Sequence, residues 1–335
     1  MSCKTVWVLT AALLLLGACG GGDDEVESQE TFKAEESSTM ATKGTAADSA
    51  EKARREEERK ERLRRQKAAK ELVKWEGRLD DAVEADEPFD MSEALDGIAQ
   101  LGEDGKPFLP QLTPFLDHED EDVRVAALKC LVSLKGPEVK TRLRNAMKSD
   151  NEVLRKEGLA LWRKAGFKDK TPIIELLDDL DGNVQCEAVR ALESAGADAS
   201  DLKVLTEKIP DLDGPAARAA LHLAVNGMAD WGGPKAIEGL LVGLLDHQDP
   251  DTRKETLEVI SEKTILRRVV AAKVVRILED DPEELVRRKA YEICKRWAEG
   301  KGPPYDPAAE EEARKEPAAA WKAWFEKNAS KFESS

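Results

Sequence analysis

The sequence predicts an all-α solenoid of about six stacked helix pairs, preceded by a charged helix and closed by a C-terminal capping helix. Three observations carry this. The stretch Asp117 to Leu131, DHEDEDVRVAALKCL, returns in pattern five more times before residue 300, and repetition at a fixed period marks units that bury their apolar faces only by stacking. With Val123 as origin, the same residue classes stand one, four, five and eight places later, which is one apolar face of a helix. The origins are Val123, Leu154, Val184, Ala217, Thr252 and Val286, separated by 31, 30, 33, 35 and 34 residues, room for two helices and two turns. The core face closes each time on a large or apolar residue: Leu131, Trp162, Leu192, Val225, Ile260 and Cys294.

From the N-terminus, residues 1–18 read MSCKTVWVLTAALLLLGA, with one lysine and an apolar run from Val6 to Leu16. That run is shorter than the roughly 20 residues needed to span a bilayer, so export is the natural reading. The ending Leu16-Gly17-Ala18-Cys19 looks like a bacterial lipobox. The resemblance implies cleavage after Ala18, lipidation of Cys19 and anchoring to a membrane of the cell envelope. Gly20, in place of an aspartate there, favours the outer membrane. Residues 19–50 are Gly, Asp, Glu, Ser, Thr and Ala with almost no large apolar side chain, so they are expected to be a disordered tether.

Residues 51–86 change to strong helix formers. Between Lys52 and Lys74 there are 11 Lys plus Arg against 5 Glu, a basic island in an acidic chain. Two readings remain open: a solvated helix held by weak ion pairs three and four apart, or a surface for an anionic lipid, polymer or acidic partner. Leu72, Val73, Trp75 and Leu79 suggest that only its C-terminal end packs onto the array. Residues 87–300 are that array. Met91 to Leu101 reads as an amphipathic helix covering the open end of the stack, with Ala94, Leu95, Ile98 and Leu101 on one face. First helices are expected at about Phe108–Leu116, Val139–Met147, Ile173–Leu177, Leu202–Ile209, Ala236–Leu245 and Ile265–Leu278. Asp120, Asn151, Asp181, Gly214, Asp249 and Glu283 fit the starts of the second helices, where such residues cap amides and suit the helix dipole.

One place after each origin stand Arg124, Arg155, Gln185, Arg218, Arg253 and Arg287; seven before that stand Asp117, Lys148, Asp178, Asp211, Asp246 and Asp280. In this run of turn acid, helix start, Val-Arg and Ala-Leu, residues 91–300 resemble the HEAT repeat family, including its short bacterial form of the phycobilisome-lyase type. The resemblance implies a right-handed stack of antiparallel helix pairs, protein binding along a concave face, and an Asp–Arg ladder between turns. Lys148 and Gln185 are the two exceptions, and they face each other if the aspartate of one repeat meets the arginine of the next. The ladder is therefore expected to pair Asp117 with Arg155, Asp178 with Arg218, Asp211 with Arg253, and Asp246 with Arg287.

Residues 301–335 come after a break at Gly300, Gly302, Pro303, Pro304 and Pro307, and helical composition resumes from about Ala308 to Asn328. Trp321, Trp324 and Phe325 share one face there. They are expected to fold back over the last helix pair, or to dock a partner.

The 335 residues carry a formal net charge of −16 with 36% charged side chains. That balance argues against nucleic acid, whose binding needs clustered Lys and Arg. The five cysteines, at 3, 19, 130, 186 and 294, show no metal-binding spacing, and the last three read as buried free thiols. The acid-rich turns fail as calcium loops, since counting from Asp179 places Arg190 at the closing position. His118 and His247 are turn residues, and His222 is expected in the core. No serine elbow, Cys/His pair, phosphate loop or HExxH nominates an active site, so no metal, cofactor or small-molecule substrate is expected. The sequence thus points to a lipid-anchored, non-catalytic scaffold for an unidentified protein partner. A structural envelope spacer is the competing reading, and a bilin lyase-like enzyme a more distant one.

Overall fold

The computed structural model describes residues 41–332, with side chains from residue 48. The expected signal peptide, Cys19 and most of the expected tether lie outside the described residues. The chain falls into two units, Met1–Lys60 and Glu61–Ser335. Helix α1, Ala41–Ala85, begins inside the segment expected as tether, where ATKGTAADSA has alanine at four of ten positions. In the first unit its exposed side chains form pairs one turn apart, such as Arg55–Glu51 at 2.6 Å and Lys60–Glu56 at 2.9 Å.

The second unit is an all-α, HEAT-like solenoid. After α2, Pro88–Ala99, the pairs are α3 (Thr113–Leu116) with α4 (Glu121–Ser133), α5 (Val139–Ala146) with α6 (Glu152–Lys164), and α7 (Thr171–Glu175) with α8 (Gly182–Gly196). Then come α9 (Ala199–Lys208) with α10 (Gly214–Gly227), α11 (Glu238–Leu245) with α12 (Pro250–Glu262), and α13 (Arg268–Asp280) with α14 (Glu284–Trp297). The chain closes on α15, Glu311–Lys327. No strand occurs among the described residues. The second helices stack in chain order from α2 to α14, and one continuous apolar core runs between them and the first helices.

Several first helices are tighter than expected. Most of the segment before α3 is a 3-10 helix, Gly102–Gln111, because Pro107 and Pro110 each remove a backbone donor. Five of the six second helices end in left-handed residues: Lys135, Gly166, Gly196, Thr264 and Glu299 all have positive φ. After α4, α6, α12 and α14 the next amide closes a six-to-one bond, as from Ile265 N to Ile260 O at 3.0 Å.

Both ends of the stack are covered. Leu72, Leu79 and Ala82 of α1 belong to the common core, and the Trp75 ring lies over α2 so closely that a Cβ on Gly97 would sit 2.4 Å from it. Val73, expected to pack, is 68% exposed, because the inward positions 72, 75, 79 and 82 place 73 on the far side. At the other end α15 lies against α13, with Tyr291 of α14 under its aromatic face. Trp321 is fully buried, 6.0 Å from the Tyr291 ring and 5.5 Å from that of Trp324. Phe325 is buried against Phe332 and Trp324 is half-buried. The reversing linker fits only because residue 302 is glycine, whose added Cβ would lie 2.0 Å from the Trp321 ring.

Candidate interaction surface

The turns before the second helices form a bonded lattice that fixes each repeat on the next. The N-caps are Asp120, Asn151, Asp181, Asp213, Asp249 and Glu283, and in four of them the side chain accepts from the first amides of its helix. Two residues earlier, a side chain accepts from the N-cap amide: His118 Nδ1 at 3.1 Å, Ser149 Oγ at 3.2 Å, Asp179 at 2.9 Å, His247 Nδ1 at 3.1 Å and Asp281 at 2.9 Å. Four residues after the cap, Arg124, Arg155, Arg253 and Arg287 curl back, and each donates Nη1 to the carbonyls five and six residues before it.

In Arg155, Arg253 and Arg287 the other edge of the guanidinium reaches forward. Arg155 makes a two-pronged contact with Asp179 at 2.6 and 2.8 Å, and Arg253 does the same with Asp281 at 2.8 and 2.9 Å. Arg287, with no further repeat ahead, donates Nε to Pro307 O at 3.0 Å. Where the arginine is missing, other groups make the link. Gln185 donates to Asp179 O at 2.8 Å and Asp211 O at 3.3 Å, and accepts from Asp213 N at 2.7 Å. The fourth repeat has Ala217 in that place, and His247 reaches back instead, its Nε2 2.9 Å from Leu212 O. Because His247 Nδ1 accepts from Asp249 N, Nε2 carries the proton that Leu212 O receives.

None of the four expected ladder pairs forms. The link runs from the arginine of one repeat to the acid of the next, and that acid stands two residues before the cap, one place later than expected. Asp117 instead meets Arg142 at 3.0 Å, Asp178 meets Lys208 at 2.5 Å, and Asp246 meets Lys273, so these acids tie successive first helices. Asp211 contributes its backbone carbonyl. Arg218 stands five residues after its cap, since α10 is capped by Asp213 and begins at Gly214, the residue expected as cap. It therefore reaches Asp249 and, at 3.2 Å, Thr252 Oγ1 rather than its own turn.

The first residue of a second helix lies under the next N-cap. Glu121 accepts from the Asn151 amide in this place. At Gly182 and Gly214 an added Cβ would come within 2.5 Å of the Asp213 and Asp249 carboxylates. Glycine there admits the approaching carboxylate and avoids setting a second acid against it. The lattice also shifts titration. Burial disfavours the charged form of Asp179, but Arg155 and the Asp181 amide outweigh it and hold the carboxyl below the usual aspartate range. Asp249 is lowered as well, burial being offset by the Thr252 hydroxyl and amide and by Arg218.

Beyond the turns, the second helices present a polar face to solvent. It is joined across helices by Arg163–Glu187 at 3.0 Å, Asn226–Glu193 at 3.0 Å, His222–Glu255 at 2.7 Å and Lys289–Glu258 at 3.7 Å. His222, expected in the core, is exposed, because the early start of α10 rotates residue 222 outward. Between α8, α10 and α12 a cavity of about 310 Å3 opens on this face, lined by Cys186, Arg190, Arg218, His222 and Glu255. The three described cysteines are free and buried; burial, with Asp96 nearby, pushes the Cys130 thiol up to about 12, far from a reactive thiolate. No group of three or more His, Cys, Asp or Glu among the described residues is placed to hold a metal ion.

Stacked helix pairs, with four of the six second-helix starts capped by a side chain and each turn tied to the next, define the class: an α-solenoid with HEAT-like repeats. A family model described as HEAT repeats matches residues 78–162, from the end of α1 to α6, so this part of the chain is similar to HEAT repeats. No curated protein matches the chain.

Proposed function

We propose that the protein is a lipid-anchored, non-catalytic scaffold of the bacterial cell envelope, held through Cys19 and binding a protein partner along the solvent face of its second helices. HEAT repeats generally serve protein interaction, and the observation that carries the reading here is that polar face. Its side chains are joined from α6 to α14 by cross-helix bonds, so they are ordered before any partner arrives. The cavity between α8, α10 and α12 gives the face one recess where a partner side chain can seat. The lipobox-like LGAC ending at Cys19 supports the anchor and the envelope location.

The test uses a photo-crosslinking residue at Arg190 or His222, and separately at Arg276 on the first-helix side, in intact cells. A scaffold yields one recurrent protein adduct from the first two positions and none from the third. A spacer without a selective partner yields the same scattered adducts from all three.

A further inference from the structure

The surface of α1 that turns away from the array is basic and partly aliphatic. The segment from Arg62 to Lys70, RLRRQKAAK, contains five cations and no acid. Its inward positions are Ala68, Leu72, Trp75, Leu79 and Ala82, at alternating spacings of three and four that keep one face on the repeats. The opposite face holds Arg62, Leu63, Gln66, Lys67, Lys70 and Val73, all exposed, with Leu63 at 55% and Val73 at 68%. Arg64 and Arg65 are drawn to Glu61, and Arg64 also to Asp104, whereas Arg62, Lys67 and Lys70 have no ion-pair partner among the described residues. Two turns past Val73, Asp80, Asp81 and Glu84 return the helix to the acidic character of the rest of the chain.

We propose that this outward stripe of α1 lies on an anionic lipid bilayer, with Arg62, Lys67 and Lys70 at the headgroups and Leu63 and Val73 entering the boundary below them. Three observations fix the occupant. Unpaired cations interleaved with exposed aliphatics are what a helix lying in a membrane interface presents, and juxtamembrane cations are drawn to an anionic leaflet. A nucleic acid would use the cations but leave Leu63 and Val73 in water. The sequence charge of −16 repels such a leaflet everywhere else, so the stripe sets which side of the protein meets it. The nearness of a bilayer rests on the proposed anchor at Cys19; the affinity of the stripe does not.

The test takes the chain from residue 19 onward with Cys19→Ser, which keeps every described residue and has no acyl chain. It is sedimented with vesicles of equal parts phosphatidylglycerol and phosphatidylcholine, and with vesicles of phosphatidylcholine alone. Binding is expected to the first only, weakening as salt rises. Replacing Arg62, Lys67 and Lys70 by Gln, which keeps helix propensity, lowers the partition by about fivefold per charge removed with an unchanged circular dichroism melt. Leu63→Gln with Val73→Gln weakens binding while preserving its salt dependence. Equal binding to both vesicles, no binding to either, indifference to the triple variant, or binding to duplex DNA in place of vesicles each overturns the proposal. Acyl labelling of Cys19 in cells is a separate measurement, so an unlabelled Cys19 removes the anchor without touching this result.

Discussion

Asp281 and Arg253 show what a single turn residue contributes. Their side chains are 4% and 9% exposed, so Asp281→Ala leaves a buried guanidinium edge without its acid and is expected to cost about 3–5 kcal/mol. A double-mutant cycle in urea should show Asp281 coupled to Arg253, and Asp246 uncoupled from both Arg253 and Arg287. Gln185→Ala strips the Asp213 amide of its acceptor and should cost about 1–3 kcal/mol in the same measurement. The lowered carboxyls of Asp179 and Asp249 add stability that is fully present above the unfolded aspartate value, about 3.9. It is lost as pH falls through their lower folded values. Melting temperature should therefore lose nothing to these two groups between neutrality and mild acid, and fall below about pH 4; in Asp179→Asn that fall is shallower. The residue types of the lattice stood open in the sequence, but its register did not. Asp178 and Asp179, or Asp280 and Asp281, are adjacent acids, and only the true cap distinguishes them, because the linking acid is the one that also accepts from the cap amide.

At the scale of the helix, sequence periodicity was a good guide wherever a helix is long and regular. The starts of α4, α6, α8 and α12 fall on the acids and the asparagine that could cap them. It misplaced α10 by one residue, since Gly214 resembles a cap and Asp213 precedes it, and that single step carried His222 from the expected core to the surface. The family-level pattern also hid the 3-10 segment before α3, where proline chemistry overrides apolar spacing. Two element-scale outcomes are measurable. Thr264 closes α12 with a φ of 53°, where a β-branched residue is strained, so Thr264→Gly should raise stability by about 1 kcal/mol in a urea titration. Trp321→Ala should cost about 3–5 kcal/mol because its ring is wholly enclosed by α14, Gly302 and α15. Trp324→Ala, at a half-buried position, should cost clearly less.

For the molecule as a whole, the boundary at Glu61 separates a stretch of exposed helix from everything that shares the core. A chain beginning at residue 61 should keep the denaturation midpoint of the full protein, whereas one ending at residue 300 uncovers Tyr291 and Trp297 and should melt earlier and bind a hydrophobic dye. The stacking of helix pairs and the two covered ends were legible in repetition and composition, whereas the direction of the turn ladder was not. The location of the open polar face did not, because it depends on which way each second helix is rotated about its own axis.

The forward reach of Arg155, Arg253 and Arg287 gives the stack a sense of time. The second and fifth repeats close their own turns but offer half of a bond to a segment that lies later in the chain, so a polypeptide emerging amino end first carries Arg155 until Asp179 follows and Arg253 until Asp281 follows. The third and sixth repeats supply those acids, and the sixth brings one further guanidinium, that of Arg287. The carbonyl of Pro307, in the linker that leads to α15, meets the last of these demands without creating another. A chain interrupted just after the second or the fifth repeat is thus left with an uncompensated cation at its growing edge, a mark by which such an incomplete product differs chemically from a finished one.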